Sequence, residues 1–231
     1  MDKLKRRQEL FGLTRQVRHH LHYLKSLGLE NLPRVQVPSP DESLIESFIE
    51  SLEDIRLDLG DCLRCPLSAS RKQIVFGEGH PKAKLMFIGA SPVESDDLEG
   101  RPFQGETGQL LTDIMVKGLK TPRQDCYITT LVKCRPPADR APQPDEIHVC
   151  LPFLLRQIAS IRPKVICLLG EAAAQSLLGS TEPLIKLRHR FHNLCGFPTM
   201  PTIHPQDILC HPEKKRESWE DVKMIIERLK G

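Results

Sequence analysis

Residues 84–90 read KLMFIGA, and three more runs of the same kind follow: CYITTLVKC at 126–134, KVICLLG at 164–170 and TMPTIH at 199–204. Each is short, apolar and rich in β-branched residues, as a strand buried on both faces must be. Between them lie stretches with helical periodicity, from Gly108 to about Lys120, over Pro144–Ile161 and over Glu171–Leu178. Apolar strands alternating with helices predict βαβ units, and so an α/β fold with a parallel sheet covered on both faces. Such sheets bind ligands at the C-terminal ends of their strands. Three polar loops fall there: GASPVESDDLEGRPFQGE after the first run, KCRPPADR after the second and HPQDIL after the fourth.

Outward from this block, the 231 residues contain 39% hydrophobic and 27% charged side chains, ordinary for a globular protein with a real core. Aromatic residues are only 5%, so a phenylalanine in a polar loop is informative, whereas a net charge of +3 decides nothing about nucleic acid. Residues 3–29 place Leu10, Leu13, Val17, Leu21 and Leu24 at helical spacing among Lys5, Arg6, Arg7, Arg15 and Arg18. This basic amphipathic helix reads either as a solvated helix or as an arm for nucleic acid or a partner. NLPRVQVPSPDES, 31–43, reads as a linker, and Asp41 or Ser43 is placed to cap a helix running to about Leu59. The expected organisation is therefore 1–43 as a helical extension with a Pro-rich linker and 44–231 as the α/β domain. No run reaches the roughly 18 apolar residues of a membrane span, and the N-terminus lacks the apolar core of a secretory signal. A cytoplasmic protein is expected, and with it cysteines that ligate metal or do chemistry rather than form disulfides.

Of eight cysteines, Cys62 and Cys65 form a CxxC pair, and Cys134 and Cys150 are separated by fifteen residues. The pair precedes the first strand, whereas a redox CxxC follows a strand and opens a helix. Cys134 falls in a strand-end loop and Cys150 in the next helix. Four thiolates converging from such places suit either zinc or a cubane iron–sulfur cluster. Cys126 and Cys167 sit in strand runs and read as small core residues. Cys195 and Cys210 read as structurally inert.

The stretches CLRCPLSASRKQIVFGEGHPKAKLMFIGASP, EGRPFQGETGQLL, YITTLVKCRPP, RPKVICLLG and TIHPQDIL, taken in order, resemble the family 4, iron–sulfur-containing uracil-DNA glycosylases over about residues 55–229. The resemblance implies a three-layer α/β/α sandwich around a four-stranded parallel sheet, and Cys62, Cys65, Cys134 and Cys150 as ligands of a [4Fe–4S] cluster. It also implies a monofunctional hydrolase of base excision repair that binds DNA and cuts the N-glycosidic bond of deoxyuridine, expected as a monomer. Such chemistry needs a donor at the O2 of the departing uracil anion, a stacking platform for the flipped base and a positioned water. His204 is the expected O2 donor, Phe103 the stacking residue, and Asp96 or Asp139 the carboxylate that holds the water. Gly105 and Gly108 suit close backbone approach to a ligand. Lys133, Arg135 and Arg140 in the rigid VKCRPPADR loop are expected to meet phosphates, with Gln206 and Ser91 adding neutral bonds.

Three polar positions depart from the family's pattern. Ala90 stands where a glutamate is usual, Thr130 where an asparagine is usual, and Asp139 replaces a second asparagine. An asparagine amide matches the O4 and N3–H edge of uracil with a donor and an acceptor side by side; threonine offers one rotatable hydroxyl. Two readings follow: a glycosylase for uracil or another deaminated base, with Ala90, Ser91, Phe103 and Thr130 around the base, or a glycosylase-like module that binds nucleic acid after losing catalysis.

Overall fold

The computed structural model describes residues 50–230. The expected helix over 3–29, the linker over 31–43 and the caps Asp41 and Ser43 lie outside the described residues. The first elements are α1 (Leu52–Leu59), β1 (Glu78–Gly79), β2 (Leu85–Gly89), α2 (Glu94–Glu99) and α3 (Gly105–Asp113). Next come β3 (Tyr127–Thr130), α4 (Pro144–Ile161), β4 (Val165–Leu169), α5 (Glu171–Leu178) and α6 (Leu184–Leu187). The chain closes with β5 (His192–Leu194), β6 (Phe197–Thr202), α7 (Pro205–Cys210) and α8 (Lys215–Lys230).

All four apolar runs become strands, and β2, β3, β4 and β6 pair in parallel. The sheet order is β1-β3-β2-β4-β6-β5, with β1 antiparallel to β3 and β5 antiparallel to β6. The sheet thus has six strands, its four-stranded parallel core flanked by short antiparallel edges. Edge strands of two and three residues are too short to show a period of two, which is why they are silent in the sequence.

Alternate residues of each strand feed opposite layers. Met86 and Ile88 of β2 meet Leu154, Ile158 and Ile161 of α4 and Ala174 of α5. Leu85 and Phe87 meet Leu111 of α3 and Val222 and Ile225 of α8 on the other side. Helices therefore cover both faces, giving the three-layer sandwich. Local chemistry sets the boundaries. Ser51 and Asp54 cap each other at the start of α1, and Pro144 opens α4 where its missing N–H costs nothing. The turn after α3 widens into a π-helical stretch, Ile114–Gly118. Among the described residues no helix is long and apolar enough to cross a membrane.

β3 pairs with one side of β2, and the chain then crosses to β4 on the other side. That reversal opens a crevice at the strand ends, where doubly wound sheets bind ligands. Ala90, Leu131, Gly170 and Ile203 each follow a strand directly and mark its rim.

Candidate active site and cysteine cavity

His204 follows β6 and is the N-cap of α7, with Pro205 opening the helix. Its Nδ1 accepts the N–H of Gln206 at 3.1 Å. An accepting Nδ1 carries no proton, so the neutral ring has its proton on Nε2. Burial holds the imidazole below the usual histidine range, which favours that neutral form. Gly170 makes room for it: a Cβ there would lie 3.1 Å from Cβ of His204.

The Phe103 ring lies 5.6 Å from the His204 ring, centre to centre, tilted by 35°. It also covers the end of β2, because a Cβ on Gly89 would meet the ring at 2.7 Å. Phe103 is 6% exposed and holds φ at 54°, in the left-handed region that non-glycine residues avoid. A Cβ on Gly108 would lie 1.7 Å from the Phe103 carbonyl oxygen. Gly108 therefore admits the backbone of Phe103, not a ligand as the sequence led us to expect.

Thr130 ends β3 beneath the same crevice, fully buried, and its Oγ1 has no hydrogen-bond partner. A buried hydroxyl without a partner costs about 1–3 kcal/mol, so this oxygen is poised to receive one. Ala90 and Ser91 are half-buried just beyond β2.

Asp96 lies on α2, buried beneath the turn that carries Phe103. Its carboxylate accepts the N–H of Gln104 at 2.7 Å and of Val93 at 3.3 Å. Burial raises its pKa, with those amides acting in the opposite sense. Its neighbour Asp97 accepts the N–H groups of Lys72 and Gln73 and so ties the segment after the CxxC pair to α2. Asp139 is exposed and bound by Arg135 through both oxygens, at 2.7 and 3.3 Å.

Cys62, Cys65, Cys134 and Cys150 line one cavity, walled by Leu59, Ile74, Val149 and Phe153. The Lys133 N–H donates to Cys150 Sγ at 3.3 Å and Arg71 Nη1 to Cys134 Sγ at 3.5 Å. Burial pushes the Cys134 thiol up to about 11, against the pull of Arg71, and raises Cys150 too. Among the described residues no three Cys, His, Asp or Glu side chains converge as ligands of a single ion. The thiols line a shared cavity, Cys62 and Cys65 from the segment after α1, Cys134 from the loop after β3 and Cys150 from α4. Soft thiols, apolar walls and N–H groups aimed at sulfur are what a polynuclear iron–sulfur group requires of its host.

The description "UDG: Uracil DNA glycosylase superfamily" matches residues 76–223, a span that holds the whole sheet and the crevice. The chain belongs to the uracil DNA glycosylase superfamily. It is 40% identical over 189 residues to a type-4 uracil-DNA glycosylase of Saccharolobus solfataricus, covering 78% of this chain and 88% of that one. A type-4 uracil-DNA glycosylase of Pyrobaculum aerophilum is 44% identical over 174 residues, covering 72% and 88%. One of Thermotoga maritima is 37% identical over 179 residues, covering 75% and 92%.

Within this superfamily fold, the structure gathers His204, Phe103, Thr130 and the Ala90–Ser91 turn at one crevice. Lys133 departs from expectation. Its side chain is 1% exposed, and Nζ donates inward to Thr129 Oγ1 at 2.5 Å and to the Thr130 carbonyl at 2.6 Å. Burial lowers its pKa to about 7, with the thiols opposing. It is therefore not a surface cation for phosphate. Arg135 shares its charge with Asp139 and Glu94, and Arg140 is clasped by the buried Glu146 at 2.6 and 3.0 Å. Gln206 is exposed, its Oε1 accepting from Thr107 of α3 at 2.5 Å. Cys126 and Cys167 are core residues, while Cys195 and Cys210 are exposed. Sequence reading missed Arg123 and Glu78, which sit behind the Phe103 loop. A lone arginine in TPRQD carries no motif.

Proposed function

We propose that this chain is a DNA glycosylase that removes uracil, or a related deaminated base, by hydrolysis. The observation that carries the reading is His204: a neutral imidazole with Nδ1 occupied, beside an aromatic ring, at the C-terminal end of the sheet. A base turned out of the duplex stacks on Phe103, which contributes about 1–3 kcal/mol. The bond from C1′ to the base nitrogen breaks with its electron pair on the base, and Nε2–H of His204 donates to the O2 that gains charge. Water adds to C1′ and gives its proton to a carboxylate, Asp96 or Asp139. Uracil leaves as the anion and is protonated from solvent. Thr130 Oγ1 takes one polar group on the base edge, and Ala90 and Ser91 bound the other side. Arg135, Arg140 and Gln206 face the phosphates.

Cys62, Cys65, Cys134 and Cys150 would hold a [4Fe–4S] cluster, with Arg71 and the Lys133 amide bonding to the sulfurs. Such a group would serve as a cross-link; no step above moves electrons.

The test incubates the protein with single- and double-stranded oligonucleotides containing uracil, hypoxanthine or xanthine, then cleaves abasic sites with alkali. Product is expected with uracil, reduced about 100- to 1000-fold by His204→Ala. Asp96→Asn and Asp139→Asn separate the two carboxylates. The absence of product with every base would leave only the nucleic-acid-binding reading.

A further inference from the structure

We propose that Arg123, oriented by Glu78, is a positioning residue that sets the base-stacking face of Phe103 from behind. This rests on the reading of Phe103 as the stacking residue. At φ 54° Phe103 sits in the left-handed region, where an L side chain crowds its own backbone, so something must hold the turn. Arg123 does so on the carbonyl side. Its Nη2 donates to the carbonyls of Pro102 at 2.8 Å and of Phe103 at 3.2 Å. Nη1 donates to Thr112 Oγ1 at 3.0 Å and to the Gly108 carbonyl at 3.4 Å, both on α3. Nε donates to Glu78 at 2.8 Å. All five N–H groups of the guanidinium are thereby used. On the amide side Asp96 holds the N–H of Gln104.

The fork thus joins three separate pieces, the Phe103 turn, α3 and the β1 edge, at a single planar group. Lysine has no such fork, only one ammonium at the end of a flexible stem. Arg123 bonds the Phe103 carbonyl, and its charge also draws down the pKa of Asp96, which holds the amide of the same turn; the share of its effect that passes through Phe103 is what coupling to Phe103→Ala reads. A ring displaced by about 1 Å costs up to ~100-fold in rate.

The experiment is a double-mutant cycle on the uracil assay. Arg123→Lys, Phe103→Ala and the double variant are measured as kcat/KM, each at a temperature where circular dichroism shows it folded. Arg123→Lys is expected to lower kcat/KM by about 10- to 100-fold, and to do little more on the Phe103→Ala background. Glu78→Gln, which leaves the guanidinium in place but releases it, is expected to give a smaller loss with the same coupling. A structural role alone would lower Tm and leave kcat/KM of the folded protein unchanged, or multiply independently with Phe103→Ala; either result overturns the proposal. If Phe103→Ala itself leaves kcat/KM intact, the stacking reading falls and takes this proposal with it.

Discussion

The N–H of Gln206 reaches Nδ1 of His204 only because His204 caps α7, and this one contact fixes which ring nitrogen keeps a proton. Burial lowers the folded pKa below the model-peptide value of about 6.5. Protonation therefore lags in the folded protein as pH falls. We expect the acid limb of kcat/KM to have its midpoint below pH 6.5; a midpoint at or above that value would contradict the lowered pKa. In the same window the unfolded chain binds the proton first, so His204 stabilises the fold above about pH 6.5 and loses that contribution as pH falls. The position of His204 at a strand end was legible from its His-Pro pair, but the tautomer was not, because it depends on the angle at which α7 leaves the sheet. Lys133 was misjudged for a related reason. VKCRPP reads as a basic loop, yet the residues after β3 still bond to the β2 turn, Leu131 N–H to Gly89 and Val132 N–H to Ala90. The chain thus stays against the sheet end for three residues past β3, and the lysine side chain is buried there. Each charge that meets a phosphate contributes about one to the slope of log affinity against log salt. We expect Arg135→Ala to lower that slope by about one and Lys133→Met to leave it unchanged, measured by fluorescence anisotropy with a uracil-free oligonucleotide. Equal effects would return Lys133 to the surface.

Among the elements, the turn between β2 and α3 is the most exacting. α3 begins at Gly105, three residues before the expected start at Gly108, because two glycines in its first turn hide helical periodicity. The second is required by contact: no Cβ fits between α3 and the Phe103 carbonyl. Gly108→Ala is expected to cost about 2 kcal/mol or more, as overpacking does, and to lower glycosylase activity beyond the loss of folded protein. A variant with native Tm and full activity would refute the contact. Helices α4 and α5 were legible to the residue and the four parallel strands to within a few residues, since each buries a wide apolar face, whereas the short edges β1 and β5 were not. α8 was missed: KKRESWEDVKMIIERLK is so charged that its stripe of Val222, Ile225 and Leu229 is easily overlooked. Thr130 was legible as a departure, but its lack of a partner emerges only from packing.

At the level of the whole molecule, the four thiols join the segment before β1 to α4, so a group that binds all of them closes a loop from Cys62 to Cys150. In the chain-entropy view, closing a loop of nearly 90 residues is worth about 4.6 kcal/mol. For a domain of this size that is roughly 9–18 °C in Tm. Stripping iron with a chelator under mild oxidation is expected to lower Tm by about that much, read by calorimetry against the untreated protein. An unchanged Tm would show that the cavity needs no occupant. The sheet order adds a consequence for synthesis. Strands that pair in parallel lie far apart in the chain, an arrangement of high contact order that folds slowly. Cys150 is made 54 residues before His204, a few seconds on the ribosome at roughly 5–20 residues per second. The cysteine cavity, with β2 and β3 beside it, can therefore assemble while the strand that delivers His204 is still untranslated. The order of manufacture puts the cysteine cavity first and the crevice histidine last.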